Sequence, residues 1–169
     1  NRDVAWTFTN AGTDAVDYYA ETVDDPANPT RYMLDGAWRP IERRVEAYRG
    51  PVGDTVGLDT VRYTHRGPMR RERGRWLSMR WTLLEPSTEA DAIHALANAT
   101  SATDWLAAME RFLVPPQNAL VADRSGTIAI RSNGRIPLRP DGLGGSIMRD
   151  GSSSASDWSG DLATTRYPA

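Results

Sequence analysis

Residues 6–17 read W-T-F-T-N-A-G-T-D-A-V-D, a stretch that constrains the fold because a strand, a turn and a carboxylate cluster are compressed into it. Val4, Trp6 and Phe8 alternate with Ala5, Thr7 and Thr9, the period of two that marks a half-buried β-strand. Asn10-Ala11-Gly12 then supplies residues that tolerate tight turn geometry, so the strand is expected to end there. Asp14 and Asp17 follow at once and flank Val16, whose carbonyl could add a third oxygen. Hard oxygen donors of this kind are what calcium takes from a loop or strand end, and solvated turn aspartates would give the same pattern.

The rest of the chain alternates strand and turn signals up to residue 84. A second strand is expected over residues 14–23, followed by the proline-punctuated surface loop 24–29. Asp35-Gly36 between Tyr32-Met33-Leu34 and Trp38-Arg39 predicts a hairpin, since this pair accepts the positive φ angles of a two-residue turn. Further strands are expected over 41–48, 56–64 and 76–84, with the arginine-rich residues 70–75 as a turn tip between the last two. Helical spacing then takes over: Ser87 or Thr88 can cap a helix bearing Ile93, Leu96 and Ala97. Ser101 and Asp104 resemble a capping box before Trp105, Leu106, Met109, Phe112 and Leu113. Pro115-Pro116 stops that helix, and residues 118–122 and 127–131 form a hairpin around Asp123-Arg124-Ser125-Gly126. From residue 140 the composition shifts to Gly, Ser and Asp, which reads as a linker-like, mobile tail.

Composition excludes more than it identifies. A formal net charge of -2 argues against a nucleic-acid surface or an anionic membrane, and no apolar run approaches the roughly 20 residues that span a bilayer. Without cysteine there is no disulfide, thiol nucleophile or thiolate metal site, and the two histidines, His65 and His94, are too far apart for a convincing zinc site. All 20 basic residues are arginine.

Several phrases occur in the order found in the β-chain of the penicillin amidase (penicillin acylase) family. Residues 6–17 resemble its W-x-F-T-N-x-G-x-D-x-x-D phrase, and Tyr19 and Glu21 resemble the Y-x-E strand after it. Residues 32–40, 64–68, 116–118 with 122–126, and 134–137 continue the series. The resemblance implies an α+β fold, a segment of the αββα N-terminal nucleophile hydrolase architecture. It would be mostly antiparallel, with a partial β-chain core over residues 1–139, a two-helix insertion at 88–113, and a tail at 140–169 leading toward the remainder of the domain. It further implies an amidohydrolase that cleaves linear amide bonds, a β-lactam side chain or an acyl-homoserine lactone among them. A self-cleaved precursor would supply an N-terminal serine outside this sequence, so these residues alone should be inactive.

By the same resemblance Asn10 supplies a backbone N–H to the oxyanion hole, and Phe8, Gly12 and Gln117 line the acyl-group pocket. Gln117 stands where the penicillin G enzymes have an apolar wall residue, which disfavours a phenylacetyl group. Asp14, the carbonyl of Val16 and Asp17 match the family's structural calcium ligands. The implied partners are a small amide substrate, the α-chain and the remaining β-chain of the same precursor, with no nucleic acid or membrane, in the periplasm or secreted. One phrase departs from the pattern: Thr64-His65-Arg66-Gly67-Pro68 exchanges the middle residues of the usual T-R-H-G-P, so on a strand His65 and Arg66 would point to the wrong faces. A different class, a stand-alone β-rich module, would use Trp38, Tyr63, Trp76 and Trp81 to stack a sugar or peptide.

Overall fold

The computed structural model describes residues 1–140, 142, 144–163 and 166–167. Its elements in chain order begin with β1 (Val4–Asn10), β2 (Val16–Glu21), β3 (Arg31–Leu34), β4 (Ala37–Pro40), β5 (Glu42–Arg49), β6 (Thr55–Thr64), β7 (Gly67–Glu72) and β8 (Arg75–Trp81). A short 3-10 turn leads to α1 (Glu89–Asn98) and α2 (Ala102–Met109), and then to β9 (Gln117–Asp123), β10 (Ile128–Asn133), β11 (Pro137–Leu138), β12 (Arg149–Asp150) and β13 (Gly160–Asp161). The chain passes back and forth between two compact units. One comprises Asn1–Ala15, Thr82–Leu138 and Trp158–Ala169, and the other Val16–Trp81 and Arg139–Asp157.

The first unit is held by apolar packing. The sheet β1-β9-β10 is antiparallel with β9 central, and its register sets Phe8 against Ala119 and Asn10 against Gln117. The two helices bury Ala92, Leu96, Trp105 and Met109 with Val4, Ala119 and Val121 of the sheet. Each large apolar side chain so buried stabilises by roughly 1.5–3 kcal/mol. The ring of Trp105 lies 5.9 Å from both Trp6 and Phe8, and Phe8 stacks on Phe112 at 5.8 Å. The first helical stripe differs from expectation at two positions: Ile93 and Ala97 are exposed, and Ala92 takes the buried place beside Leu96. The second helix also ends at Met109, short of Phe112 and Leu113.

Polar side chains finish the unit's ends. Thr88 precedes α1 without capping it; its hydroxyl donates to the carbonyl of Arg111. Ser101 does cap α2, accepting from the N–H of Asp104 at 3.0 Å. Asn1 donates to the carbonyls of Ala97 and Ala99 at the far end of α1 and accepts from the N–H groups of Asp3 and Val4. Asp123 shapes the β9–β10 turn by accepting from Ser125 and Thr127, and its other oxygen accepts from the N–H of Ala102 at the start of α2.

The second unit is built on a six-stranded sheet in the order β12-β2-β8-β7-β6-β5, antiparallel except where β12 runs parallel to β2. The β3–β4 hairpin forms as its Asp-Gly turn predicts, with Asp35 at φ 51° and Gly36 at φ 77°. Residues 70–75 are not all turn: Arg70, Arg71 and Glu72 belong to β7, and only Arg73-Gly74 makes the tip. The Gly/Ser-rich residues after 140 carry β12 and a 3-10 turn, so this linker-like composition encodes a return pass to the sheet. Among the described residues no helix is long and apolar enough to cross a membrane.

Two predictions follow from the first unit's geometry. Gly134 sits at φ 137°, and a Cβ built there would lie 2.5 Å from Pro116 Cα, so Gly134→Ala is expected to cost about 2–4 kcal/mol in urea unfolding. The Ser125 hydroxyl, with the Ala102, Thr127 and Ser125 N–H groups, pushes the Asp123 carboxyl down to about 2. Its stabilisation is therefore present above the unfolded value of about 4 and is lost as pH falls toward 2. The wild-type urea midpoint should drop across that window, and Asp123→Asn should flatten the drop while lowering the midpoint at pH 6.

Candidate functional site

The strand end that the sequence singled out is open. β1 stops at Asn10, which is exposed, and Gly12 follows at φ 66° with no atom within 4 Å of where a Cβ would stand. A left-handed residue at this point turns the chain away from the sheet without a side chain to fill the space, which is the reason for glycine. Across the sheet Gln117 is buried and its amide donates to Asn10 Oδ1 at 3.3 Å and to the carbonyl of Pro116 at 3.0 Å. The N–H of Ala11 donates to the same carbonyl at 3.2 Å, so Pro116 anchors both sides of the turn. Phe8 is half-buried in the aromatic cluster with Trp6, Trp105 and Phe112. Asn10, Gly12 and Gln117 thus meet at one rim, with Phe8 two residues back along the strand.

The expected calcium trio is placed differently. Asp14 is exposed in the first unit, whereas Val16 and Asp17 begin β2 in the second. The Asp17 side chain is fully buried and accepts from Arg139 Nε at 2.9 Å, Arg139 Nη2 at 3.2 Å and Arg149 Nε at 3.0 Å. Among the described residues no three His, Asp or Glu side chains converge as a cation site. A carboxylate enclosed by two guanidinium groups is poor chemistry for a divalent cation, so these residues do not fit calcium.

Sequence reasoning missed a second polar cluster in the same unit. Arg66, 3% exposed, donates from Nε to Asp157 Oδ1 at 2.6 Å and from Nη1 to Glu21 Oε1 at 3.1 Å. It also donates to the carbonyls of Gly151 and Ser153 and lies 4.3 Å over the Tyr19 ring. His65 bridges Asp157 Oδ2 and the Tyr32 hydroxyl, each at 2.9 Å. Burial pushes the Glu21 carboxyl up, against the hydrogen bond from Ser78 and the charge of Arg66. At Asp157 burial acts the same way but loses to the hydrogen bonds from His65 and Arg66, which hold this carboxyl below its usual range. Burial, with the charge of Asp17 beside it, raises the Tyr19 hydroxyl to about 12.

The exchanged His65-Arg66 pair does not lie on a strand at all. β6 ends at Thr64 and β7 begins at Gly67, so the two residues form the turn, one exposed and one buried. The available signal was the run Asp17, Tyr19, Glu21, polar groups on one strand face that would need buried cations opposite. His94 is exposed on α1 beside Asn98. Three of the four aromatic rings that would serve a binding module already carry arginines: Arg31 lies over Trp38, Arg44 over Tyr63 and Arg62 over Trp76.

The family model for penicillin amidase matches residues 1–169. The acyl-homoserine lactone acylase PvdQ of Pseudomonas putida is 27% identical over 193 residues, covering 100% of this chain and 25% of that protein. The thermostable penicillin G acylase of Alcaligenes faecalis superimposes with a TM-score of 0.81 at 25% identity, covering 99% of this chain and 30% of that one. The chain therefore spans between a quarter and a third of the length of these relatives. With the family's model matched from end to end and the α+β arrangement of a nucleophile-hydrolase segment in place, the chain belongs to the penicillin amidase family.

Proposed function

We propose that this chain is the oxyanion-binding and acyl-binding portion of an amidohydrolase acting on linear acyl amides, with its nucleophile supplied by polypeptide outside the sequence. In amide hydrolysis the tetrahedral intermediate carries negative charge on the former carbonyl oxygen, and a fixed backbone N–H stabilises it. The observation that carries the reading is the open end of β1, where Asn10, Gly12 and Gln117 share an uncovered rim. In this role the main chain of Asn10 is the donor, and Phe8, Gly12 and Gln117 shape the acyl pocket. A serine freed at a chain terminus attacks the substrate, its own α-amine accepting the proton.

The buried amide of Gln117 adds a polar group to the pocket wall, which favours an acyl chain able to hydrogen-bond there over an unsubstituted aromatic one. The acyl-homoserine lactone acylase among the relatives makes N-acyl lactones a reasonable first substrate class to assay. The remaining polypeptide of the same precursor is the partner in this reading. The sheet face opposite the helices supports it, since Ile128 and Ile130 there are 80% and 51% exposed. A periplasmic or secreted location goes with the same reading.

Chromogenic acyl amides test it. No turnover is expected from the 169-residue chain alone, and turnover is expected from a longer protein that carries it with a free N-terminal serine; activity of the isolated chain would refute the assignment. In the longer protein Asn10→Ala, which keeps the backbone donor, should change kcat by less than about tenfold, whereas Asn10→Pro, which removes it, should cost on the order of 10²–10³. Gln117→Leu should raise kcat/KM for phenylacetyl amides relative to hydroxylated acyl chains.

A further inference from the structure

Asp17 is the residue to which family resemblance and geometry give different partners. Calcium in proteins takes six to eight oxygen ligands and draws on whole carboxylates. Here Arg139 grips both oxygens of Asp17 in the forked geometry of a bidentate pair, at 2.9 and 3.2 Å, and Arg149 adds a third donor at 3.0 Å. The three side chains are shut off from water, at 0% exposure for Asp17, 9% for Arg139 and 3% for Arg149. Each guanidinium brings a full positive charge and a fork of donors that matches the carboxylate. A divalent ion entering this site would meet them at close range in a medium that screens poorly.

We propose that two guanidinium groups do here what a bound metal would do elsewhere. The Arg139–Asp17–Arg149 clamp neutralises the carboxylate at the start of β2 and ties to it the pass of chain that runs from residue 139 to β12. The protein is then braced without calcium. This holds whatever the enzyme hydrolyses, because its test reads metal affinity and stability rather than turnover.

A longer protein that carries this chain, stripped with EDTA, is titrated with CaCl2 to about 10 mM while thermal unfolding and the Nε–H signals of Arg139 and Arg149 in 15N NMR are followed. Both Tm and the two signals are expected to stay put. A saturable rise in Tm, or displacement of either arginine signal by calcium, would overturn the proposal. Asp17→Asn keeps the side-chain shape and removes the charge, and should lower Tm by about 10 °C, equally in calcium and in EDTA. A loss confined to the calcium buffer would overturn it as well. If Asp17→Asn does not fold, the wild-type titration decides alone.

Discussion

Taking a carboxylate out of water costs several kcal/mol unless a counter-charge goes with it, and the second unit has to meet that cost twice on one strand. Asp17 and Glu21 lie on the same face of β2 with Tyr19 between them, and all three are buried. The sequence distance to the cations that answer them is large. Arg139 and Arg149 come from the pass that ends at β12, and Arg66 from the turn between β6 and β7. The Gly/Ser-rich stretch is drawn back to the sheet because its arginines are needed there. Its weak apolar content is then no obstacle to folding, since charge neutralisation and carbonyl acceptors at Gly151 and Ser153 hold it.

One cation shared between two carboxylates also sorts their protons. Arg66 touches both Asp157 and Glu21. Asp157 has His65 as a second donor and keeps its charge easily; among the described residues Glu21 has only the Ser78 hydroxyl besides, at 2.5 Å, and one oxygen with no partner. Burial therefore wins at Glu21 and loses at Asp157, as the opposite directions of their shifts record. The first unit works by other means. Its apolar cluster among the described residues numbers eleven buried side chains against three in the second, so hydrophobic burial can carry the first unit while the second leans on paired charges.

Local patterns were readable wherever one strand or turn decides the outcome. The alternation over residues 4–10, the Asp35-Gly36 turn and the Ser101 cap all took the form their residues dictate. β7 was obscured because its arginines looked like a turn, while its last three residues, Arg70 to Glu72, are exposed and pair with β8 beyond the β6 register, where a strand can carry charge at every position. Ile93 and Ala92 exchanged places because helix periodicity fixes a stripe only to within about one residue. The role of Asp17 was not legible locally at all: its partners lie 122 and 132 residues away, and an isolated Asp-x-x-Asp phrase looks alike whether metal, water or arginine completes it.

At the rim the same residue serves two separable needs. In the proposed reading the chemistry of Asn10 belongs to its main chain, which any residue but proline could supply at that strand position, and this leaves the side chain for another purpose. Asn10 Oδ1 accepts from the amide of Gln117, whose other contact is the carbonyl of Pro116, so the amide's two donors are both used within the rim and its orientation is set by them. In that reading the oxygen of Gln117 would be the end offered to an acyl chain. Substituting residue 10 would thus reach substrate preference through Gln117 while leaving the oxyanion donor in place, which separates the residues that tune specificity from the backbone that performs catalysis.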